Sequence, residues 1–119
     1  MLTFEIANQL GRQWVDTWNN KSIDDYLNLY TDDVQVVSSL ALRLFPESNG
    51  TLQDKKLLKN YWELLKTRYP NYIFQMDVVR YFDDKLIVYY SSLDQSVRAI
   101  AVLTIREDLL IRRVEVSYV

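Results

Sequence analysis

Arg98 is the charged residue whose position most needs a chemical explanation. It opens an apolar segment, Ala99–Leu103, in which a guanidinium is out of place. At the mouth of a cavity, an arginine binds a carboxylate or polarises a carbonyl group, because its rigid fork of donors matches such oxygens. The structural alternative is a cross-strand ion pair with Glu115. We therefore treat both residues as candidate pocket-lining groups.

Aromatic residues recur at helical spacing and form a second candidate set. Trp14 and Trp18 lie one helical turn apart, and Trp62 lies on a later apolar stripe. Such tryptophans belong either to the core or to the wall of a ligand pocket. The same two readings apply to three tyrosines: Tyr30, Tyr61 and Tyr118.

Acid–base and metal chemistry have few candidates in this composition. The chain contains no histidine and no cysteine, which removes the commonest metal ligand, the usual general base and the thiol nucleophile. Ser38 therefore has no histidine to activate it as a nucleophile. The pairs at Asp24-Asp25 and Asp32-Asp33 suit a helix start and a turn. We expect no metal site and no cofactor, and no catalytic residue is assigned.

Three helices are predicted to carry these groups. Residues 3–20 place Ile6, Leu10, Trp14 and Trp18 on one stripe, and Gly11 within it suggests a close approach to a sheet. Ser22 caps a short second helix over 23–30. A third helix begins at Thr51 or Asp54, runs to about Arg68 and exposes four lysines, namely Lys55, Lys56, Lys59 and Lys66.

Strand patterns dominate the last third of the chain. Four β-branched and aromatic segments, Tyr72–Phe82, Leu86–Ser92, Val97–Arg106 and Leu110–Tyr118, are separated by short polar breaks typical of hairpins. A further strand is predicted over Val34–Ser38, and Leu42–Phe45 suggests another short one. The pattern predicts a single α+β domain over residues 1–119, with three N-terminal helices packed on a curved antiparallel sheet.

Composition limits the partners and the location. The net charge is −2 and the sequence pI is about 5.1, whereas nucleic acids and anionic membranes normally require a basic surface. There is neither a secretory signal pattern nor an apolar run long enough for a membrane helix. We expect a cytoplasmic protein without nucleic-acid or membrane partners.

Several spaced blocks resemble SnoaL-like members of the nuclear-transport-factor-2-like (NTF2-like) superfamily. The first block, Trp14–Val34, combines a tryptophan and asparagine, a polar turn and Asp-Tyr-Leu followed by Asp-Asp-Val. Gly50-Thr-Leu52 with Tyr61-Trp62 resembles a second, and Pro70-Asn71 with Arg113–Tyr118 a third. The resemblance implies a cone-shaped fold with a conical pocket, but this superfold hosts many functions.

The resemblance also places family roles on particular residues. The general-base aspartate of ketosteroid isomerases falls on Ser38, the oxyanion tyrosine on Trp14 and a second oxyanion donor on Arg98. Each position has changed its chemical type, so isomerisation by that mechanism is not expected. A small-ligand-binding protein is favoured. The alternatives are an isomerase, cyclase or hydrolase acting through Arg, Tyr and carboxylate groups, and a non-catalytic association module.

Either face of the predicted sheet is apolar enough to be buried. The resemblance directs the Arg98 face, with Tyr89 and Glu115, toward the pocket and the opposite face toward a partner. It thus implies a homodimer through the sheet, with Val88, Ala101 and Leu103 in the interface, and a small hydrophobic or carboxylate-bearing ligand. Apolarity alone favours the opposite orientation.

Overall fold

A computed structural model describes residues 2–20 and 22–119 of the chain. Over these residues it contains four α-helices, a single 3-10 turn at Pro46–Ser48 and six strands in a curved, unclosed sheet. The helices are α1 (Phe4–Asn19), α2 (Ile23–Leu27), α3 (Ser39–Leu44) and α4 (Asp54–Arg68). None of them is both long and apolar enough to cross a membrane.

Side-chain caps fix the starts of the first two helices. The hydroxyl of Thr3 accepts a hydrogen bond from the backbone N–H of Ile6, and that of Ser22 accepts one from Asp25. Each bond satisfies a backbone donor that has no partner within the helix. The predicted positions of α1 and α4 are confirmed, and α2 is shorter than expected.

The predicted short strand at Leu42–Phe45 is wrong, because α3 occupies this region. Ser38 ends the preceding strand, and its Oγ accepts hydrogen bonds from the backbone N–H groups of Leu40 and Ala41. This is the N-cap arrangement that starts a helix.

Six strands form the sheet in the order β2-β1-β6-β5-β4-β3. They are β1 (Tyr30–Ser38), β2 (Thr51–Gln53), β3 (Phe74–Phe82), β4 (Lys85–Ser92), β5 (Arg98–Ile105) and β6 (Ile111–Tyr118). The last four strands pair antiparallel in succession, as predicted. β6 also pairs in parallel with β1, and β2 was not predicted.

Irregular pairing bends the sheet around the helices. The register shifts between Met76 and Val78 on β3 and between Thr104 and Ile105 on β5, and such bulges bend a strand and increase its twist. α1 packs closely against β3 and β4: a Cβ at Gly11 would lie 2.9 Å from Sδ of Met76. The predicted close approach at Gly11 is therefore confirmed.

The sheet faces are oriented opposite to the expectation taken from the resemblance. Val88, Ala101 and Leu103 are each 0% exposed and lie in the core beneath the helices. Arg98 and Tyr89 lie on the outer face, where Tyr89 remains 40% exposed. The predicted interface through Val88, Ala101 and Leu103 is wrong, because the helices of the same chain cover those residues.

Candidate functional site

A cavity of about 340 Å3 lies between the helices and the inner, concave face of the sheet. This volume is near the lower end of the range of roughly 300–1,000 Å3 that is usual for ligand pockets. The walls are mainly aromatic and aliphatic. Some lining side chains are partly exposed, and others are fully buried. The lining residues are Trp14, Trp18, Tyr26, Tyr30, Val36, Ser39, Leu40, Arg43, Tyr61, Leu65, Lys66, Tyr69, Tyr72, Phe74, Tyr90, Val97, Val114, Val116 and Tyr118.

The buried end of the cavity holds a hydrogen-bonded aromatic cluster. Trp14 on α1 donates from Nε1 to the hydroxyl of Tyr30 over 2.9 Å. The ring of Tyr26 on α2 packs edge-on against that of Tyr30, with centroids 5.1 Å apart. All three side chains are at most 1% exposed. Buried phenol and indole groups normally require such partners.

A second group of phenols lies toward the opening. Tyr61 on α4 and Tyr118 on β6 both line this part of the cavity. Tyr90 on β4 lines it as well and packs edge-on against Trp14, with ring centroids 5.2 Å apart. Tyr118 is 41% exposed, so this group connects the buried end to solvent.

These phenols are neutral donors rather than bases. Burial is the main cause that raises the pKa of Tyr26, Tyr30, Tyr61 and Tyr90 above the usual value for tyrosine, since it disfavours the charged form. At neutral pH each hydroxyl keeps its proton. The cluster can therefore donate a hydrogen bond to a ligand oxygen, but it offers no phenolate to abstract a proton.

The ionised groups on the cavity wall are Arg43 on α3 and Lys66 on α4. Partial burial lowers the pKa of Lys66 from its usual value of 10.5, and its Nζ lies 5.4 Å from the centroid of the Trp62 ring. No aspartate or glutamate lines the cavity within residues 2–20 and 22–119, and neither cation has a carboxylate within 4.0 Å there. The walls thus carry positive charge that no protein group neutralises.

Three of the predicted pocket residues, Trp14, Trp18 and Tyr30, line the cavity. Trp18 is half-buried, and in the described part of the chain its buried Nε1 has no hydrogen-bond acceptor. Trp62 lies behind the wall instead, where its Nε1 donates to the backbone carbonyl of Thr17 over 3.2 Å. Ser38 also lies behind the wall as the cap of α3.

The predicted inward orientation of Tyr89, Arg98 and Glu115 is wrong. All three lie on the outer face of the sheet. Arg98 is exposed and lies opposite Ser91, and its backbone carbonyl accepts a hydrogen bond from the N–H of Val119 over 2.9 Å. The alternative ion pair between Arg98 and Glu115 is wrong as well, since Glu115 accepts a hydrogen bond from Nε of Arg113 over 2.8 Å.

Several lining residues had no sequence signal that set them apart. Tyr90 lies in a uniformly apolar strand, and Arg43 lies in a segment that resembles a strand. Lys66 was grouped with the exposed lysines of α4 and instead reaches the cavity. Helical spacing offered one clue, because Lys66 follows Trp62 by four residues and therefore shares its face.

The described residues contain no cluster of three or more histidine, cysteine, aspartate or glutamate side chains that could hold an ion.

Comparison of the sequence with protein-family models and with curated proteins finds no match. Solved structures do match. A SnoaL-like protein of unknown function from Burkholderia thailandensis superposes with a TM-score of 0.90 at 23% identity, over 98% of this chain and 97% of that one. SalBIII is an epoxide hydrolase/cyclase-like enzyme with a role in pyran ring formation in salinomycin. It superposes with a TM-score of 0.79 at 10% identity, over 100% of this chain and 95% of that one.

A more distant neighbour is an NTF2-like protein of unknown function from Cytophaga hutchinsonii. Its TM-score is 0.67 at 9% identity, over 100% of this chain and 92% of that one. Identities this low establish the fold alone. The chain has the cone-shaped α+β fold of SnoaL-like proteins in the NTF2-like superfamily.

Proposed function

We propose that this protein binds a small, largely apolar molecule in its cavity without acid–base catalysis by the protein. The supporting observation is an open aromatic cavity of about 340 Å3 whose described lining offers neutral phenols and two cations but no carboxylate. A general base must lie within hydrogen-bond reach of the proton that it removes. The described lining of the cavity has no carboxylate and the chain has no histidine, so neither group can act as the base. The buried phenols retain their protons.

The open cavity also favours ligand binding over a role in protein association alone. Trp14 and Trp18 form part of the wall and leave the space unfilled. Apolar cavities with a few convergent polar groups are typical of small-molecule sites. In this proposal the Trp14–Tyr30 pair orients the buried end of the ligand through the free hydrogen-bonding capacity of the phenols.

A cavity-filling substitution tests ligand binding directly. Val116 lines the cavity, so Val116→Phe should occlude it and weaken binding of the neutral fluorophore N-phenyl-1-naphthylamine at least about tenfold. Val78→Phe makes the same change on the edge strand, at a residue that is 37% exposed and outside the cavity, and should leave binding unchanged. Equal binding by both variants would show that the probe does not enter the cavity.

The ligand itself can be sought by native mass spectrometry of protein purified from its own host. A retained small molecule that is lost from Val116→Phe supports the proposal. Protein that carries no adduct and also fails to bind the fluorophore contradicts it.

We further propose that a second copy of the chain covers the outer face of the sheet. The outward side chains of Ile87, Ile100 and Val102 are only half-buried, and Tyr89 is 40% exposed. Contiguous apolar surface of this kind commonly marks an interface, and a two-fold contact would cover it on both copies at once. The proposed homodimer therefore uses the face opposite to the one first predicted.

Sedimentation equilibrium tests the dimer. Ile100→Glu should convert it to monomers, because it places a charge from each copy in an apolar contact without a partner. Gln13→Glu adds the same charge on an exposed position of α1, on the other side of the sheet, and should leave the dimer intact. Wild-type protein that is monomeric at tens of micromolar contradicts the proposal.

A further inference from the structure

The charged groups at the cavity wall indicate what chemistry the occupant brings. Arg43 projects from α3 and is exposed, whereas Lys66 on α4 is half-buried. Both line the same cavity as the buried phenols. The two helices thus place cations near the open end, while the buried end is neutral.

These cations contrast with five others that are already paired. Within residues 2–20 and 22–119, Lys55, Lys85, Arg106, Arg112 and Arg113 each lie within 4.0 Å of an aspartate or glutamate oxygen. Arg43 and Lys66 have no such contact, although the chain carries more acidic than basic residues. Six further described cations also lack such a contact, so what distinguishes Arg43 and Lys66 is that they line a cavity whose described wall contains no carboxylate.

Hydrogen-bonding capacity at the wall is weighted toward donors. The guanidinium and the ammonium only donate, and the buried Nε1 of Trp18 has no acceptor among the described residues. A complementary occupant must supply acceptors, and a carboxylate supplies two oxygens and a negative charge. A cationic occupant would instead meet two like charges and no counter-ion.

The aromatic walls specify the remainder of the occupant. The rings of Trp14, Trp18, Tyr90 and Phe74 contact one another edge-on, with centroids between 5.2 and 6.1 Å apart. Flat faces at these angles suit a planar ring system, which gains by offset or edge contacts. The small volume excludes a large polycyclic body with long substituents.

We infer that the cavity selects a small aromatic carboxylate, with its ring against the aromatic wall and its anionic group held by Arg43 and Lys66. This inference rests on the proposed function and narrows it from apolar ligands in general to aromatic acids. The acid is bound intact, and no bond is made or broken.

A pair of ligands that differ mainly in charge tests the selection. Naphthalene-2-carboxylate and naphthalene-2-carboxamide have the same ring system and nearly the same shape. By isothermal titration calorimetry at neutral pH, wild-type protein should bind the carboxylate about tenfold more tightly than the amide. The preference should shrink as salt rises, because both cations are partly exposed to solvent.

Charge-removing variants locate the origin of the preference. Arg43→Gln combined with Lys66→Gln should reduce the preference to less than about twofold, while the affinity for the amide stays unchanged and shows that the cavity is intact. The control combines Lys59→Gln with Arg68→Gln. It removes two exposed cations of α4, the helix that carries Lys66, at positions outside the cavity lining. It should keep the preference.

The possible results separate the two proposals. Equal binding of acid and amide by the wild type overturns the aromatic-acid inference and leaves the ligand-binding function standing. A preference that survives loss of Arg43 and Lys66, or that disappears in the control, also overturns it. Failure of both naphthalenes and of N-phenyl-1-naphthylamine to bind contradicts the ligand-binding function itself.

Discussion

Tyr30→Phe isolates the buried hydrogen bond at the closed end of the cavity. The substitution keeps the ring and removes the hydroxyl that accepts from Nε1 of Trp14 over 2.9 Å. Because Trp14 is 0% exposed, its indole N–H would be left without water or another acceptor. An unsatisfied buried donor costs about 1–3 kcal/mol.

The cost can be converted into a measurable shift. A loss of about 2 kcal/mol divided by a urea m-value of about 1.5 kcal/mol/M lowers the unfolding midpoint by about 1.3 M. Far-UV circular dichroism can follow the transition at a single protein concentration, since self-association would also contribute to the measured stability. The m-value should not change, because the same surface is exposed on unfolding.

Tyr81→Phe is the matched control for this experiment. Tyr81 is 42% exposed on the edge strand β3, on the core side of the sheet and outside the cavity lining, so water can satisfy its hydroxyl. Its removal should change stability by less than about 0.5 kcal/mol. If Tyr30→Phe proves equally mild, a water or a different rotamer satisfies Trp14, and the assigned cluster is incorrect.

Four further outcomes are expected. Ala101→Glu should unfold the protein, as seen by circular dichroism, rather than release folded monomers, because Ala101 is 0% exposed in the core. Gly11→Val should destabilise it by about 1–3 kcal/mol in urea titration, since the added methyl groups overlap the sheet contact. A 3-oxo-Δ5-steroid should show no turnover; activity abolished by Ser38→Ala would contradict this. The carboxyl of Asp94 should titrate by NMR with a pKa near 2, because hydrogen bonds from Ser92 and Ser96 lower that pKa from 3.8. Its stabilising effect is therefore complete above pH 3.8 and is lost as the pH falls through about 2, and a midpoint near 3.8 would contradict the hydrogen bonds.

Periodicity predicted the long elements well, because their burial pattern and their sequence pattern coincide. Trp14 and Gly11 lie on the buried side of α1, and the antiparallel pairing of the last four strands follows their polar breaks. The prediction of Leu42–Phe45 as a strand failed because leucines at 40, 42 and 44 alternate as in a strand, while the Ser38 cap favours a helix. β2 is only three residues long, too short for a periodic signal.

The orientation of the sheet shows why part of the site was missed. β4 and β5 are apolar on both faces, so alternation could not select the inner one. The outer face carries Arg98, Arg113 and Glu115, and burial of unpaired charge is costly. That argument favours the observed orientation, and the resemblance to a family outweighed it. The cavity cations were missed for a different reason: Arg43 and Lys66 reach the same space from helices distant in sequence.

The position of β6 constrains when the fold can form during synthesis. This strand lies between β1 and β5, and Val114 within it belongs to the core. Until residues 111–118 have left the ribosome, β1 and β5 each lack a neighbour and β1 can pair only with the three residues of β2. The pairing of residue 30 with residue 111 also closes a long loop, which is slow to form. A nascent chain therefore exposes two unpaired strand edges until β6 is available, and unpaired edges of this kind are prone to aggregation.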